Sequence, residues 1–397
     1  MSALPGPGPA TAGDTLPAAA FAAALAGLVR MTAARLGALL THLTPEAAFQ
    51  IVSGADAPRG TIVEKVLAVP GLRQTWIDSA RACPPAMVWE RCVDLGIAVS
   101  YLGQADHPVA ATTDPLPAPV LFSRGDRSLL DGRRVAIVGT RNTTMAGRSM
   151  ALELGRGLGH AGVHVVSGLA RGVDVHAHRG VLAALDARAA EQVRGGPGRP
   201  IGVVASGLDR VYPRENARVW EQVATDGLLL TEFPPGSPPV AHRFPLRNRL
   251  VAGLSEIVVV VESRERGGSL ITASLAGERG IPVMAVPGSA RNRAALGVNE
   301  LLRDGAAPVL DVGDVLLALS LDHTRTVPAL AEQRITPRAG DIGVYRVCAR
   351  GPATIGEIAQ LAGVDLLTAA MSLARLEQRG WLVQVDGWYE SVGSPPR

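Results

Sequence analysis

Cysteine is scarce in this sequence. Cys83, Cys92 and Cys348 are the three thiols in 397 residues, and no two of them form a CxxC pair. That excludes a thiolate zinc site and a disulfide framework, and it suits a reducing compartment. Lysine is scarcer still: Lys65 stands alone, so arginine supplies all the other basic side chains. Abundant alanine and glycine tie this bias to a GC-rich genome, yet it has a physical consequence. Arginine's planar fork grips phosphate with two bonds and stacks on bases. Long apolar runs are missing too. Residues 16–29 are Ala-rich and apolar, but the stretch is too short to span a bilayer and no Lys or Arg precedes it. It reads as a buried helix, and a soluble, cytoplasmic protein with no membrane association is expected.

With 47% apolar and 19% charged residues, the composition is that of a globular protein, and the length implies two or three domains. The net charge of +3 is unevenly placed. Residues 120–320 hold 24 Arg against 19 Asp plus Glu, whereas residues 1–119 hold 7 basic against 9 acidic side chains and residues 321–397 balance. The basic surplus belongs to the middle of the chain.

Residues 1–17 are rich in Pro, Gly and Ala without periodicity and read as a disordered arm. Residues 18–96 read as a helical domain, with Thr44-Pro45-Glu46 marking a helix start. Residues 104–119 carry four prolines and look like a connector. Apolar runs of strand length then alternate with helices, at 134–139, 163–167, 201–205, 228–231, 257–262 and 283–286. Such continuous runs are expected of parallel strands buried on both faces. The fold class expected for 97–321 is therefore α/β, a Rossmann-like, doubly wound, mostly parallel sheet. Arg194-Gly195-Gly196-Pro197-Gly198-Arg199 looks like a flexible insertion. After a linker at 322–340, residues 341–392 read as three helices and a hairpin whose Asp386-Gly387 turn is of type I′, a winged helix-turn-helix. No internal repeat is present.

Ligands of open α/β sheets bind beyond the carboxyl ends of the strands, so the loops there carry the functional reading. In Val138-Gly139-Thr140-Arg141 a strand-ending glycine lets backbone N–H groups face an anion. It is no GxGxxG, and Arg141 would fill the space of a dinucleotide pyrophosphate. Ser167-Gly168-Leu169-Ala170-Arg171-Gly172-Val173-Asp174 allows a close backbone approach. In the run Asp174-x-His176-x-His178 only Asp174 and His178 share a helix face, so no metal is expected, and Asp174 is expected to cap a helix or hold the loop. Arg247-Asn248-Arg249 is a compact phosphate-gripping triplet; internal ion pairing with Glu232 or Glu262 is equally open. In Gly267-Gly268-Ser269, Ser269 is placed to cap the next helix and leave its first N–H groups for a phosphate. None of these loops offers a nucleophile–base pair or clustered carboxylates, so neither catalysis nor a cofactor is expected. Four anion sites along one edge suit a polyanion.

These loops in this order closely resemble the DprA/Smf family of DNA-processing proteins. The residues that carry the resemblance are Val138 to Arg141, Ser167 to Asp174 with Ala177-His178-Arg179-Gly180, Tyr212-Pro213, Phe244-Pro245 through Arg249, Gly268 to Thr272, and Val286-Pro287-Gly288 followed by Gly297-x-Asn299. The match covers roughly residues 120–310, with weaker likeness of the N-terminal helices to a SAM-like domain and of the C-terminal module to a winged helix. The resemblance implies a protein that binds and protects single-stranded DNA during uptake and transformation, helps load RecA onto it, and forms homodimers through its Rossmann-like domain. The contact residues it implies, with those read from the loops, are Gly139, Thr140, Arg141, Ser167, Gly168, Arg171, Arg214, Arg218, Arg247, Asn248, Arg249, Gly268 and Ser269. Arg214 and Arg218 stand where the family commonly has lysines, while Ala205-Ser206-Gly207 departs from its usual Gly-x-Gly.

Two other classes compete. A phosphoribohydrolase-like Rossmann enzyme would need a PGGxGT loop and a glutamate on the next helix; Gly267-Gly268-Ser269-Leu270 and Glu278 do not fit that spacing. A transcription regulator would read duplex DNA through its winged helix. Here residues 335–397 hold six Arg against six acids, a poor phosphate binder.

Overall fold

The computed structural model describes residues 16–58, 60–108, 114–189, 196–319, 336–385 and 387–392. The expected arm at 1–17, the Arg194-Gly195 part of the insertion, most of the linker and Asp386 of the hairpin turn lie largely or wholly outside these residues. The chain folds as two units, Met1–Arg325 and Thr326–Arg397.

The first unit begins with six helices: α1 (Ala18–Ala26), α2 (Ala33–Leu40), α3 (Pro45–Val52), α4 (Thr61–Leu67), α5 (Leu72–Ala82) and α6 (Pro85–Asp94). Thr44 caps α3 through the Ala47 N–H, with Pro45 at its first position, as the sequence implied. The apolar stretch at 16–29 forms α1 and buries Ala20, Ala22, Ala23, Ala24 and Leu25. Trp76, fully buried, donates its indole N–H to the Val29 carbonyl oxygen at 3.0 Å.

The strands that follow are β1 (Ala98–Tyr101), β2 (Val120–Gly125), β3 (Arg134–Val138), β4 (His164–Ser167), β5 (Pro200–Val203), β6 (Leu228–Thr231), β7 (Ile257–Val260), β8 (Val283–Ala285) and β9 (Ala307–Pro308). They form one sheet in the order β1-β2-β6-β5-β4-β3-β7-β8-β9. From β6 to β9 all neighbours are parallel; β1 and β2 are antiparallel additions at one edge. The chain starts at β3, builds outward through β4, β5 and β6, then returns to the other flank with β7. That reversal between β3 and β7 is the topological switch point of a doubly wound sheet. All six strands expected from apolar runs are present. The added β1 and β9 are edge strands of four and two residues, too short to stand out as buried runs, and the added β2 pairs between β1 and β6.

Between these strands run α7 (Met145–His160), α8 (Val173–Ala189), α9 (Ala217–Asp226), α10 (Arg243–Gly253), α11 (Gly268–Gly277), α12 (Leu296–Arg303) and α13 (Val312–Ala318). One apolar cluster joins the N-terminal helices to a sheet face through Phe122, Trp220 and Leu229; another fills the opposite face with Val138, Val166, Leu250, Val258 and Val298. The α7–α8 contact is backbone to backbone. A Cβ on Gly155 would stand 2.2 Å from the Ala177 carbonyl oxygen, and one on Gly180 would stand 2.1 Å from that of Leu152. Only glycine allows so close a crossing.

The second unit holds α14 (Ile342–Cys348), α15 (Ile355–Ala362), α16 (Leu366–Gln378) and a small antiparallel sheet of β10 (Ala353–Thr354), β11 (Leu382–Val385) and β12 (Trp388–Ser391), ordered β10-β12-β11. Its core includes Val344, Tyr345, Ile358, Leu373, Leu376 and Trp381. Arg375, one of two basic residues on or at the end of α16, pairs with the buried Asp341 at 2.6 Å, and Arg379 donates to the Thr336 carbonyl oxygen at 3.1 Å. Among the described residues no single helix is long and apolar enough to cross a membrane.

Candidate nucleic-acid interface

At the switch point the loops after β3 and β7 are bonded to each other. The Thr140 N–H donates to the Glu262 carbonyl oxygen at 2.8 Å. The buried Glu262 carboxylate accepts from the Thr143 hydroxyl at 2.6 Å, the Thr144 N–H at 2.9 Å and the Thr144 hydroxyl at 2.5 Å. The Thr144 hydroxyl in turn caps α7 by accepting from the Gly147 N–H at 3.1 Å. Amides that the sequence suggested for an anion are thus taken by Glu262. Gly139 has a packing reason of its own, since a Cβ there would meet the Val173 side chain at 2.4 Å.

What this loop presents outward is Arg141. Its guanidinium lies 5.0 Å from the centre of the Phe244 ring, and that ring lies 5.5 Å from Tyr212, itself 42% exposed. A cation and two aromatic rings follow one another on the surface, a combination that can pair with phosphate and stack on bases. Beyond Tyr212-Pro213, Arg214 and Arg218 are exposed, and exposed Arg171 pairs with Glu215 at 2.6 Å.

The second loop is locked from beneath. Ser167 is fully buried and donates its hydroxyl to the Ile137 carbonyl oxygen at 2.6 Å, tying β4 to β3. The Arg247 guanidinium occupies the space a side chain at Gly168 would need; a Cβ there would be 1.8 Å from Nη1. Asp174, at the start of α8, accepts from the Gly168 and Ala170 N–H groups and so holds the loop. Burial raises its pKa against the opposing pull of Arg247, while burial lowers that of Arg247 against the pull of Asp174. Arg247 Nε has no hydrogen-bond partner. Leu169 takes a left-handed backbone, φ 54°, and its carbonyl oxygen accepts from Asn216 Nδ2 at 3.0 Å.

Of the two openings left for the Arg247-Asn248-Arg249 triplet, internal pairing is the one found for Arg249. It is buried against Glu232, whose pKa burial raises while Arg249 opposes the shift. Asn248 reaches the Gly268 carbonyl oxygen at 3.4 Å. Ser269 differs from expectation. The helix cap is Gly267, and Ser269 sits in the first turn of α11 with its hydroxyl donating to Ser263 Oγ at 2.9 Å. Ser263 Oγ fills the space of a side chain at 267, 2.2 Å from a Cβ there, so the cap must be glycine.

Three further residues were not expected. Arg148 on α7 and His176 and Arg179 on α8 line an open cleft of about 600 Å³ together with Arg141, Arg171 and Glu215. The sequence did carry a sign of this: His176 and Arg179, three apart on a helix, share a face. His178 points the other way and is fully buried. Burial lowers its pKa to about 4, the nearby Ser167 backbone offsets this only in part, and neither ring nitrogen has a well-aligned partner. Among the described residues no three His, Cys, Asp or Glu side chains converge as a metal site would require.

Residues 98–320 match the model of the family described as DNA recombination-mediator protein A. The chain belongs to this family, DprA/Smf. Over 200 residues it is 41% identical to the DNA processing protein DprA of Bacillus subtilis, a match that takes in 50% of this chain and 63% of that relative. With Protein Smf of Escherichia coli it shares 33% over 287 residues, 70% of this chain and 72% of the relative. The X-ray structure of DprA from Streptococcus pneumoniae superposes with a TM-score of 0.63 at 26% identity, covering 77% of this chain and 98% of the other. The family's α/β architecture, a large mostly parallel sheet with many helices, is therefore that of this chain. The chain spans 57% to 66% of the length of the relatives from Bacillus subtilis, Synechocystis and Streptococcus pneumoniae.

Proposed function

We propose that this DprA/Smf family member binds and protects single-stranded DNA at the carboxyl edge of its sheet and promotes loading of RecA onto it during DNA uptake and recombination. It acts in the cytoplasm without catalysing a reaction of its own, as a homodimer joined through the Rossmann-like region. The observation that carries the reading is the Arg141–Phe244–Tyr212 row. Stacking suits unpaired bases, whose faces are accessible, far better than a duplex, whose faces are covered. RecA, the dimer and the cytoplasmic setting rest on family membership. So do the SAM-like character of residues 18–96 and the winged-helix character of residues 341–392. In the second unit Arg375 is held by Asp341, which favours protein contacts or regulation over duplex reading.

The test is binding of single- and double-stranded DNA by the full chain across a salt series. The exposed cations Arg141, Arg171, Arg214 and Arg218 give about four phosphate contacts, so log affinity for a single strand falls with log salt at a slope of about −3 or steeper, at least roughly fifty-fold between about 50 and 200 mM. Arg141→Ala weakens all sequences alike. A flat salt response, or a preference for duplex, overturns the proposal.

A further inference from the structure

The cleft beyond Arg141 is a separate feature from the aromatic row, although Arg141 forms a wall of both. Four guanidiniums line it, those of Arg141, Arg148, Arg171 and Arg179, against the single carboxylate of Glu215. That carboxylate is engaged by Arg171 at 2.6 Å, and among the described residues none lies within ion-pair distance of Arg141, Arg148 or Arg179. His176 adds an imidazole to these guanidiniums. Its Nδ1 lies 2.8 Å from the Gly172 carbonyl oxygen, which can only accept, so Nδ1 carries the proton and Nε2 is left to the cleft. Like charges gathered without counter-charges repel one another, and an anion relieves that repulsion.

The lining also says which part of a ligand enters. It contains no Phe, Tyr or Trp ring, and its one apolar aliphatic side chain is Val175. Charge and hydrogen-bond donors dominate the lining, which favours the sugar–phosphate side of a strand. At about 600 Å³ the opening far exceeds what one phosphate needs. Its cations come from the loop after β3, from α7, from the loop after β4 and from α8, around the opening instead of at one point. The α7–α8 crossing through Gly155 and Gly180 brings the Arg148 and Arg179 helices together.

We infer that this cleft is a phosphate track: a single strand whose bases stack at Phe244 and Tyr212 passes Arg141 and lays its next sugar–phosphate units between Arg148 and Arg179. The inference rests on the single-strand reading above and adds to it a path and two grips. His176 is its reporter. Burial keeps the His176 pKa below the ordinary imidazole value, and Arg179 and Arg148 lower it further, with the Gly172 carbonyl opposing. A phosphate between the two arginines offsets their effect and raises it.

The experiment uses the full chain with oligo(dT) as probe, the Arg148→Ala/Arg179→Ala double variant, its Lys/Lys counterpart, and NMR titration of the His176 ring. Both arginines are exposed, so the variants fold. The double Ala variant is expected to lose about 1.4 from the magnitude of the single-strand salt slope, about 0.7 for each phosphate contact. The Lys/Lys variant keeps the slope, and oligo(dT) raises the His176 pKa in the original chain but not in the double Ala variant. An unchanged slope in the double Ala variant, with the original chain still binding, overturns the track and leaves the single-strand site standing. Absence of any oligo(dT) binding by the original chain brings down both. If inorganic pyrophosphate raises the His176 pKa while bound oligo(dT) does not, the cleft is a small-anion site and the track is overturned.

Discussion

Glu262 and Thr144 meet at two points: the Thr144 N–H donates to one carboxylate oxygen at 2.9 Å and its hydroxyl to the other at 2.5 Å. This pair joins the loops on either side of the switch point and sets where α7 begins. Bonds to a buried carboxylate are worth about 1.5–3 kcal/mol each in context. Glu262→Gln puts an amide donor against these donors. It is expected to cost about 2 kcal/mol by urea unfolding and to weaken DNA binding through misplacement of Arg141. Unchanged stability would remove Glu262 from the architecture of the loop.

Arg141 and Arg249 should separate cleanly. Arg141→Ala lowers single-strand affinity with stability within about 0.5 kcal/mol of the original, as for exposed sites. Arg249→Ala strands the buried Glu232 carboxylate and costs about 3–5 kcal/mol of stability. Chemical denaturation beside a binding isotherm checks both; an Arg249→Ala chain of full stability would contradict the buried pair.

The α7–α8 crossing is intolerant of a methyl group. Gly180→Ala places a Cβ about 2.1 Å from the Leu152 carbonyl oxygen, so the helices must part. Overpacking of this kind costs about 1–3 kcal/mol. Thermal unfolding reads the loss, and the same substitution at exposed Gly277, where a Cβ meets nothing within 4 Å, serves as the control.

His178 makes stability fall with acid. Its folded pKa of about 4 lies below the unfolded value of 6.5, so the neutral ring's contribution is present above pH 6.5 and is lost as pH falls through 4. The size is about 3 kcal/mol, from about 1.4 kcal/mol per pKa unit. His178→Leu is expected to flatten the stability profile in that window; an unaltered profile would assign the acid sensitivity elsewhere.

Thiol reactivity should follow burial. Cys83 is exposed, whereas burial pushes the Cys92 thiol up to about 12 and that of Cys348 to about 11. A maleimide at neutral pH is expected to modify Cys83 alone in the folded chain and all three cysteines in denaturant, as mass spectrometry would show.

Much of the fold was legible because buried parallel strands are continuous apolar runs: β3, β6 and β7 stand out in the sequence as they do in the sheet. The edge strands were not, since β1 and β9 are four and two residues long and owe their existence to the neighbour they pair with. At the site, Arg141 was legible from its place after a strand-ending glycine. The fates of Arg247 and Arg249 were not, because sequence spacing places a side chain on an element without saying what lies opposite. Gly168 and Glu232, distant in sequence, decide them. Arg148 escaped notice for the same reason: its neighbours His176 and Arg179 lie on the next helix.

The glycine crossing of α7 and α8 bears on how the molecule can drift over evolutionary time. At Gly155 and Gly180 backbone meets backbone with no side chain between, so rotamer hopping in the surrounding core is not transmitted through these two points. At those two points the gauge between the helices is fixed by peptide dimensions. Core residues around it are free to exchange among apolar types while the separation of the arginines mounted on the two helices stays constant.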